Sequence, residues 1–386
     1  MNNLNVGGAE KALVSLLQVI DYDRFDVDLF LLKHEGVFLK HLPKQVNLLP
    51  EPIEFGFFDM SFPKALLQSL KMLRFDIFFA RIAQAYIIKT ERSLSVREQK
   101  TWKYLARCLK KNPEHYDLAI GYLQRTPNYY VIDKVSADKK VGFVHNDYNE
   151  LKMDADIDRK YLKQFDRIFT ISEQCEAILK ETFPELTARF DIMYNIVSPV
   201  ALRQLAGETV AFEKKGFTLI SVGRLHPQKG FDIAVDALKI LVDKGVDVYW
   251  YILGEGGERG KLEEKIQSLG LKDRFVLLGI RENPYPYVSL ADIYVQPSRF
   301  EGKSIAIDEA KILGKPIVVT NFPSIVDQIV HMQNGLITEI DALSIANGIG
   351  QLHRDALLRE SFVRYLQGEK LGTEHEITKL YAIIEA

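Results

Sequence analysis

The 386-residue sequence has only two cysteines, Cys108 and Cys175, too few for a disulfide-stapled scaffold. No CxxC pair or Cys/His cluster has the spacing of a zinc site. Neither sign of charge is in excess. The 50 lysines and arginines face 52 aspartates and glutamates, which argues against a surface wholly given over to nucleic acid. Apolar runs stop short of the roughly 18 residues a membrane span needs, and the longest candidate, 77–88, is broken by Arg81. The chain opens without a basic-then-apolar leader and shows no long-period repeat or low-complexity tract. These absences lead to the expectation of a soluble, cytoplasmic protein.

What is present is a strict alternation. Short apolar runs suit strands: 26–32, 117–123, 140–145 and 167–172, then 217–222, 246–253, 275–278, 292–296 and 315–320. Several are apolar at consecutive positions, as in strands covered on both faces. Helix-period segments lie between them, at 9–17, 172–182, 230–244, 261–269, 305–313 and 324–331. Strand and helix in alternation predict an α/β protein with parallel sheets covered on both faces, and the length allows two such domains. A stretch with few strand signals, 195–215, reads as the linker. The domains are expected at 1–198 and 199–370, with a C-terminal helix in 371–386 crossing back to the first.

One segment departs from the overall charge balance. Residues 64–111 hold twelve lysines and arginines against Asp76, Glu91 and Glu98, a local charge of about +9. They are interleaved with Leu66, Leu67, Leu70, Leu73, Phe75, Phe78, Phe79, Tyr86, Ile87 and Trp102. Such a region either lies on an anionic membrane surface or is a helical insertion with its apolar side in the core.

Several constellations carry chemistry. In 299–309, Glu301 sits in a loop after a strand and Glu309 in the helix that follows. Gly302 permits close backbone approach, and Lys303, Ser304 and Ile305 offer N–H groups at a helix start, where anions are favoured. Read alone, the two glutamates are equally a loop charge and a solvated helix position. In 221–230, Arg224 and Lys229 lie five apart on a turn flanked by Gly223 and Gly230. One supplies a fork of donors and the other a point charge, a set suited to a diphosphate. The glycines from Gly254 onward lack the dinucleotide-binding spacing; they line a nucleotide pocket or simply turn the chain. Gly7 and Gly8 open another helix at which a phosphate could approach the backbone. His145 closes a predicted strand beside Asn146 and Asp147, at the end where parallel sheets bind ligands.

Together these motifs resemble the family 4 glycosyltransferases, whose GT-B architecture sets two Rossmann-like domains facing across a cleft. The resemblance rests on Gly7-Gly8-Ala9-Glu10, on His145-Asn146, and on the VGRLHPQKG turn at 222–230. It extends through LGEGGERGKLE at 253–263, FEGKSIAIDEA at 300–310 with its E-x7-E spacing, GKPIVVT at 314–320, and Asn334-Gly335. It implies retaining transfer of a sugar from a nucleotide-sugar donor, UDP- or GDP-linked, without a metal ion or other cofactor. The acceptor would be a saccharide, lipid-linked or part of a capsule-like polysaccharide, with peripheral membrane contact through 64–111 at the inner membrane face and no nucleic-acid partner. Arg224 and Lys229 would hold the diphosphate, Glu309 the ribose and Glu301 the donor sugar. Amides near Ser304 and Ile305 would cap the distal phosphate, with His145 near the reacting sugar. No side-chain base is implied, since the donor phosphate can take the acceptor's proton.

Two features depart from the family pattern. Only MNNLNV precedes Gly7-Gly8, so the first domain is expected to lack its first, central strand, and a start further upstream would supply it. Lys303 stands where the family prefers small or apolar residues. Alternatives to a transferase are a donor-binding but inactive homologue, or another GT-B enzyme such as an epimerase or phosphorylase. A two-lobed solute receptor would need an export signal.

Overall fold

The computed structural model describes residues 1–5 and 7–385; Val6 and Ala386 lie outside the described residues. The chain forms two units, one of residues 1–194 with 375–386 and the other of residues 195–374.

The first unit holds a parallel pair, β1 (Asp28–Leu29) with β2 (Asn47–Leu48). Beside it in sequence is a four-stranded parallel sheet in the order β3 (His115–Gly121), β4 (Ser136–Val144), β5 (Arg167–Thr170), β6 (Phe190–Ile192). The apolar run 26–32 thus gives only a two-residue strand. Residues 1–4 run alongside 30–35: Leu32 and Lys33 donate their amides to the Met1 and Asn2 carbonyls, and Leu4 donates to Glu35. No strand is formed there, although Leu4 is fully buried. Four helices, Ile53–Asp59, Phe62–Lys71, Phe75–Thr90 and Leu94–Cys108, intervene between β2 and β3. No helix among the described residues is long and apolar enough to cross a membrane.

The second unit is a six-stranded parallel sheet. Its strands are β7 (Phe217–Val222), β8 (Val248–Leu253), β9 (Phe275–Gly279), β10 (Ile293–Gln296), β11 (Ile317–Thr320) and β12 (Leu336–Thr338). They lie in the order β9-β8-β7-β10-β11-β12. The first strand of the unit therefore sits at the centre, with β8 on one side and β10 on the other. At this reversal the crossovers leave to opposite faces and open a crevice at the carboxyl ends of the strands. Leu219, Trp250, Ile293 and Val318 pack with Ala234 and Leu238 of the helix Phe231–Asp243 in one core. The indole N–H of Trp250 is satisfied inside it by Ser221 Oγ at 2.9 Å, and that hydroxyl donates to the Val295 carbonyl at 2.6 Å.

The stretch 195–215 forms no strand and contains a helix, Pro199–Ala206. Proline at the first helical position loses no hydrogen bond. One expectation needs correction. The helix expected at 324–331 is a short 3₁₀ turn, Pro323–Asp327, closed by a hydrogen bond from the Gln328 backbone N–H to the Ile325 carbonyl.

Gly230 links fold and site. Its φ is +65°, and a Cβ there would come within 2.0 Å of the Pro297 carbonyl oxygen. The turn after β7 thus lies directly on the loop after β10. Gly230→Ala combines left-handed backbone strain with a backbone clash, and is expected to cost about 2 kcal/mol or more. Urea denaturation followed through Trp250, in the core beneath this turn, measures it; unchanged stability would show that the two loops separate freely.

Candidate active site

The crevice beside β7 and β10 gathers the charged residues singled out in the second unit. Glu301, which follows β10, is buried at 8% exposure. Lys229, which follows β7, places its ammonium 2.5 Å from Glu301 Oε1. Three more side chains donate to the same carboxylate: Ser298 Oγ at 2.6 Å, Gln296 Nε2 at 3.0 Å and Gln228 Nε2 at 3.3 Å. Tyr294 donates to Gln296 at 2.5 Å, which orients the amide so that its nitrogen faces Glu301. Lysine has three N–H donors, so the bond to Glu301 leaves Lys229 donors for a second anion.

Two clamps hold these loops together. Arg299 forks onto Asp232, at 2.8 and 2.7 Å, and also reaches the Pro227 carbonyl at 2.6 Å. This pair holds the Asp232 carboxyl below the usual range, the Arg299 hydrogen bond being the main cause. On the other side, the turn 223–225 is zipped to the glycine-rich segment after β8. Gly223 donates to the Leu253 carbonyl at 3.0 Å and Leu225 to that of Glu255 at 2.9 Å. A Cβ on Gly254 would lie 1.9 Å from the Gly223 carbonyl oxygen. Gly254 therefore shapes the turn that carries Arg224. Arg224 itself is exposed and pairs with no carboxylate among the described residues.

The helix Ile305–Ile312 starts at this crevice. Its first intrahelical bonds are donated by Ile307 and Asp308 to the Ser304 carbonyl, so the amides of Ile305 and Ala306 precede the ladder. The Ser304 amide is not available as expected from the sequence, because it donates to Gln328 Oε1 at 2.9 Å. Gln328 returns the bond to the Ser304 carbonyl at 2.8 Å and fixes the helix start. Gly302 is buried beside it, and the Lys303 side chain, 10% exposed, leans 3.9 Å from Asp308 rather than into solvent. Glu309 is buried within the helix and accepts from Tyr285 Oη at 3.0 Å.

The remaining candidates belong to the first unit. Gly7 caps the helix Gly8–Val19, and the Glu10 carboxylate folds back over it: a Cβ at Gly7 would meet Oε2 at 2.0 Å. This helix start thus already has a carboxylate against it. His145 directly follows β4, and its ring packs against those of Phe143 and Tyr122, at centroid distances of 5.5 and 4.9 Å. Both ring nitrogens are buried and neither is in a hydrogen bond of ordinary geometry. Burial lowers its pKa to about 4, an effect the Tyr122 backbone carbonyl partly offsets. Its amide donates to Gln124 at 3.1 Å. The next residue, Arg125, has φ +68°, a costly conformation away from glycine, and its guanidinium lies 3.0 Å from Glu98. Among the described residues, no three of the His, Cys, Asp and Glu side chains are grouped to hold a metal ion.

Sequence reading missed Gln228, Gln296, Ser298, Tyr285, Gln328 and Arg125. Gln296 and Ser298 had a signal, as polar residues closing an otherwise apolar strand. The others are brought in by the fold alone.

With this geometry in hand, likeness to known proteins becomes informative. Residues 206–368 match the family model described as glycosyl transferases group 1. The matched span lies within the second unit and includes the whole crevice. An uncharacterised glycosyltransferase of Methanocaldococcus jannaschii is 28% identical over 166 residues, 42% of this chain and 41% of that protein. The chain thus spans less than half the length of that relative. A Campylobacter jejuni N-acetylgalactosamine-N,N'-diacetylbacillosaminyl-diphospho-undecaprenol 4-alpha-N-acetylgalactosaminyltransferase is 25% identical over 364 residues, 93% of this chain and 90% of that protein. Among solved structures, Anabaena HepE with UDP and glucose aligns at a TM-score of 0.65 and 18% identity, covering 99% of this chain and 98% of that one. That likeness bears out the expected α/β class of two Rossmann-like units.

Two predictions follow from the charges. Lys229→Ala leaves Glu301 buried without its cation, and is expected to destabilise the second unit by about 3 kcal/mol. Adding Glu301→Gln should recover most of that loss in a double-mutant denaturation cycle; additive effects would show that the pair is uncoupled. For His145, burial holds the folded pKa at about 4, below the ordinary imidazole value of 6.5. The unfolded chain therefore binds more protons between those limits, and stability falls as pH drops from 6.5 to 4, by up to about 3 kcal/mol. His145→Gln should flatten this part of the profile, and an unchanged slope would exclude a neutral buried imidazole.

Proposed function

We propose that the protein is a retaining, metal-independent glycosyltransferase. It would move a hexose or similar sugar from a UDP- or GDP-linked donor to a glycan or lipid-linked saccharide. The observation that carries the reading is the meeting of Lys229 with Glu301 at the reversal point of a parallel sheet, inside the span matched by the family model. Breaking the bond between the anomeric carbon and phosphate leaves its electron pair on the diphosphate. Arg224 and the spare donors of Lys229 stabilise that charge, while the amides of Ile305 and Ala306 face the distal phosphate. Glu301 accepts from the donor sugar's hydroxyls and Glu309 from the ribose. Gly223, Gly254 and Gly302 let the backbone approach. The acceptor oxygen bonds to the anomeric carbon on the face the diphosphate leaves, and its proton passes to the departing phosphate oxygen, so no side-chain base is needed. His145 serves the reacting sugar from the first unit.

The donor class is supported by the UDP and glucose bound to HepE, and the acceptor class by the undecaprenol-diphosphate saccharide in the name of the Campylobacter relative. Peripheral contact through 64–111 with the inner face of a membrane belongs to the same reading.

The test is donor hydrolysis and transfer across a panel of UDP-, GDP- and ADP-sugars, with the product anomer read by NMR. One donor should be used with its configuration kept. Arg224→Ala, an exposed change that spares the fold, and Glu309→Ala should each lower kcat/KM by about 100-fold or more. Full activity in either variant would refute the donor site.

A further inference from the structure

Segment 53–94 exposes large apolar side chains from two helices and the turn between them. The helix Phe75–Thr90 is apolar on opposite sides. Ile77, Ala80, Arg81 and Ile87 form its buried stripe. Phe75, Phe79, Ile82 and Tyr86, spaced i, i+4, i+7 and i+11, fall within an arc of about 60° on the other side. All four are exposed, Phe79 at 65% and Tyr86 at 69%. Before it, the helix Phe62–Lys71 exposes Leu67 and Leu70 between Lys64 and Lys71. Its connecting turn exposes Met72 and Leu73, the latter at 74% and with φ +55°. The core takes Trp102 and Ile87 from the residues read as interleaved in the sequence, and leaves these others outside.

The charge around this hairpin has one sign. The carboxylates of Glu54, Asp59, Asp76 and Glu91 are all engaged, by Arg74, Lys33, Arg74 and Lys100 respectively. Arg81 is spent inside, its Nη2 donating to the Met60 carbonyl at 2.7 Å. Lys64, Lys71, Lys89 and Arg92 remain exposed with no carboxylate partner among the described residues.

We infer that the hairpin Phe62–Thr90 is a docking element for an anionic lipid bilayer, lying in the headgroup region with Leu67, Leu73, Phe75, Phe79 and Tyr86 inserted. A self-contact between two copies would bring Lys64 and Lys71 against their own counterparts, whereas an anionic surface complements them. The 16-residue helix is about 24 Å long, shorter than a hydrocarbon core of about 30 Å, so it lies in the interface rather than across it. Aromatic rings beside lysines suit that depth. The inference deepens the proposed reading, which already gives segment 64–111 peripheral membrane contact, and rests on it for why a membrane is near; vesicle binding needs no donor chemistry, so its failure and the failure of the transfer reading are distinguishable.

The test uses the full chain and vesicles of phosphatidylcholine with and without about one-third phosphatidylglycerol. Sedimentation should show binding to the anionic vesicles that weakens at high salt. Lys64→Gln with Lys71→Gln should weaken binding by about fivefold per charge. Leu73→Asn with Phe79→Ser should weaken it at least tenfold while donor hydrolysis is kept. In a second measurement, Tyr86→Trp places an exposed indole in a chain whose two tryptophans are buried. Its emission should shift to the blue and be quenched by brominated lipid. No binding to anionic vesicles, or an indole that brominated lipid leaves unquenched, would overturn the inference. So would a dimer in sedimentation velocity that the Leu73 and Phe79 changes abolish.

Discussion

The second unit is organised around a carboxylate taken out of water. An ion as buried as Glu301 costs several kcal/mol unless its lone pairs find donors. Here the donors come from both sides of the reversal point: Lys229 and Gln228 after β7, Gln296 and Ser298 from the end of β10 and its loop. In the chain β7 and β10 are separated by two further strands; in the sheet they are neighbours. Only that order brings an ammonium to Glu301, so fold and site stand or fall together. The Arg299–Asp232 fork and the contact of Gly230 with Pro297 hold the same two loops in register.

On the proposed reading, this arrangement would divide the work of two cations that look equivalent in sequence. Lys229 is already committed to Glu301, while Arg224 stands in solvent on a turn stiffened by Gly254. A committed ammonium is held at a defined position, which suits a charge that must meet phosphate oxygens repeatedly in one geometry. An uncommitted guanidinium keeps all its donors for the ligand. The same commitment makes Lys229 structural, so on the proposed reading its removal would act on stability and on chemistry at once.

Much of the second unit was legible because its strands are buried on both faces. The runs 217–222 and 292–296 differ from β7 and β10 by at most one residue. The charged residues of the site were legible from their place after strands. Their internal partners were not: Gln228 and Gln328 look like surface amides until the sheet order places them against Glu301 and Ser304. Sequence reading therefore assigned the Ser304 amide to a ligand when the protein itself uses it. The first unit was less legible. In the helix Phe75–Thr90, apolar residues on two opposite faces mask the single-stripe periodicity by which a surface helix is recognised. There the net charge count does not tell which cations are free: Arg74 and Lys100 pair with Asp76 and Glu91, and Arg81 is buried.

The two units differ in how complete they are. Around Glu301 every polar side chain named has at least one partner, while Lys229 keeps donors to spare. At the carboxyl end of β4 the opposite holds: neither nitrogen of His145 nor the Oδ1 of Asn128, all buried, has a hydrogen bond of ordinary geometry. Such orphans are rare, because each forfeits its hydration without return. Here they sit beside a backbone outlier at Arg125, held in place by Glu98 and the start of the next helix. Strain and unsatisfied polarity thus coincide at the carboxyl end of this parallel strand.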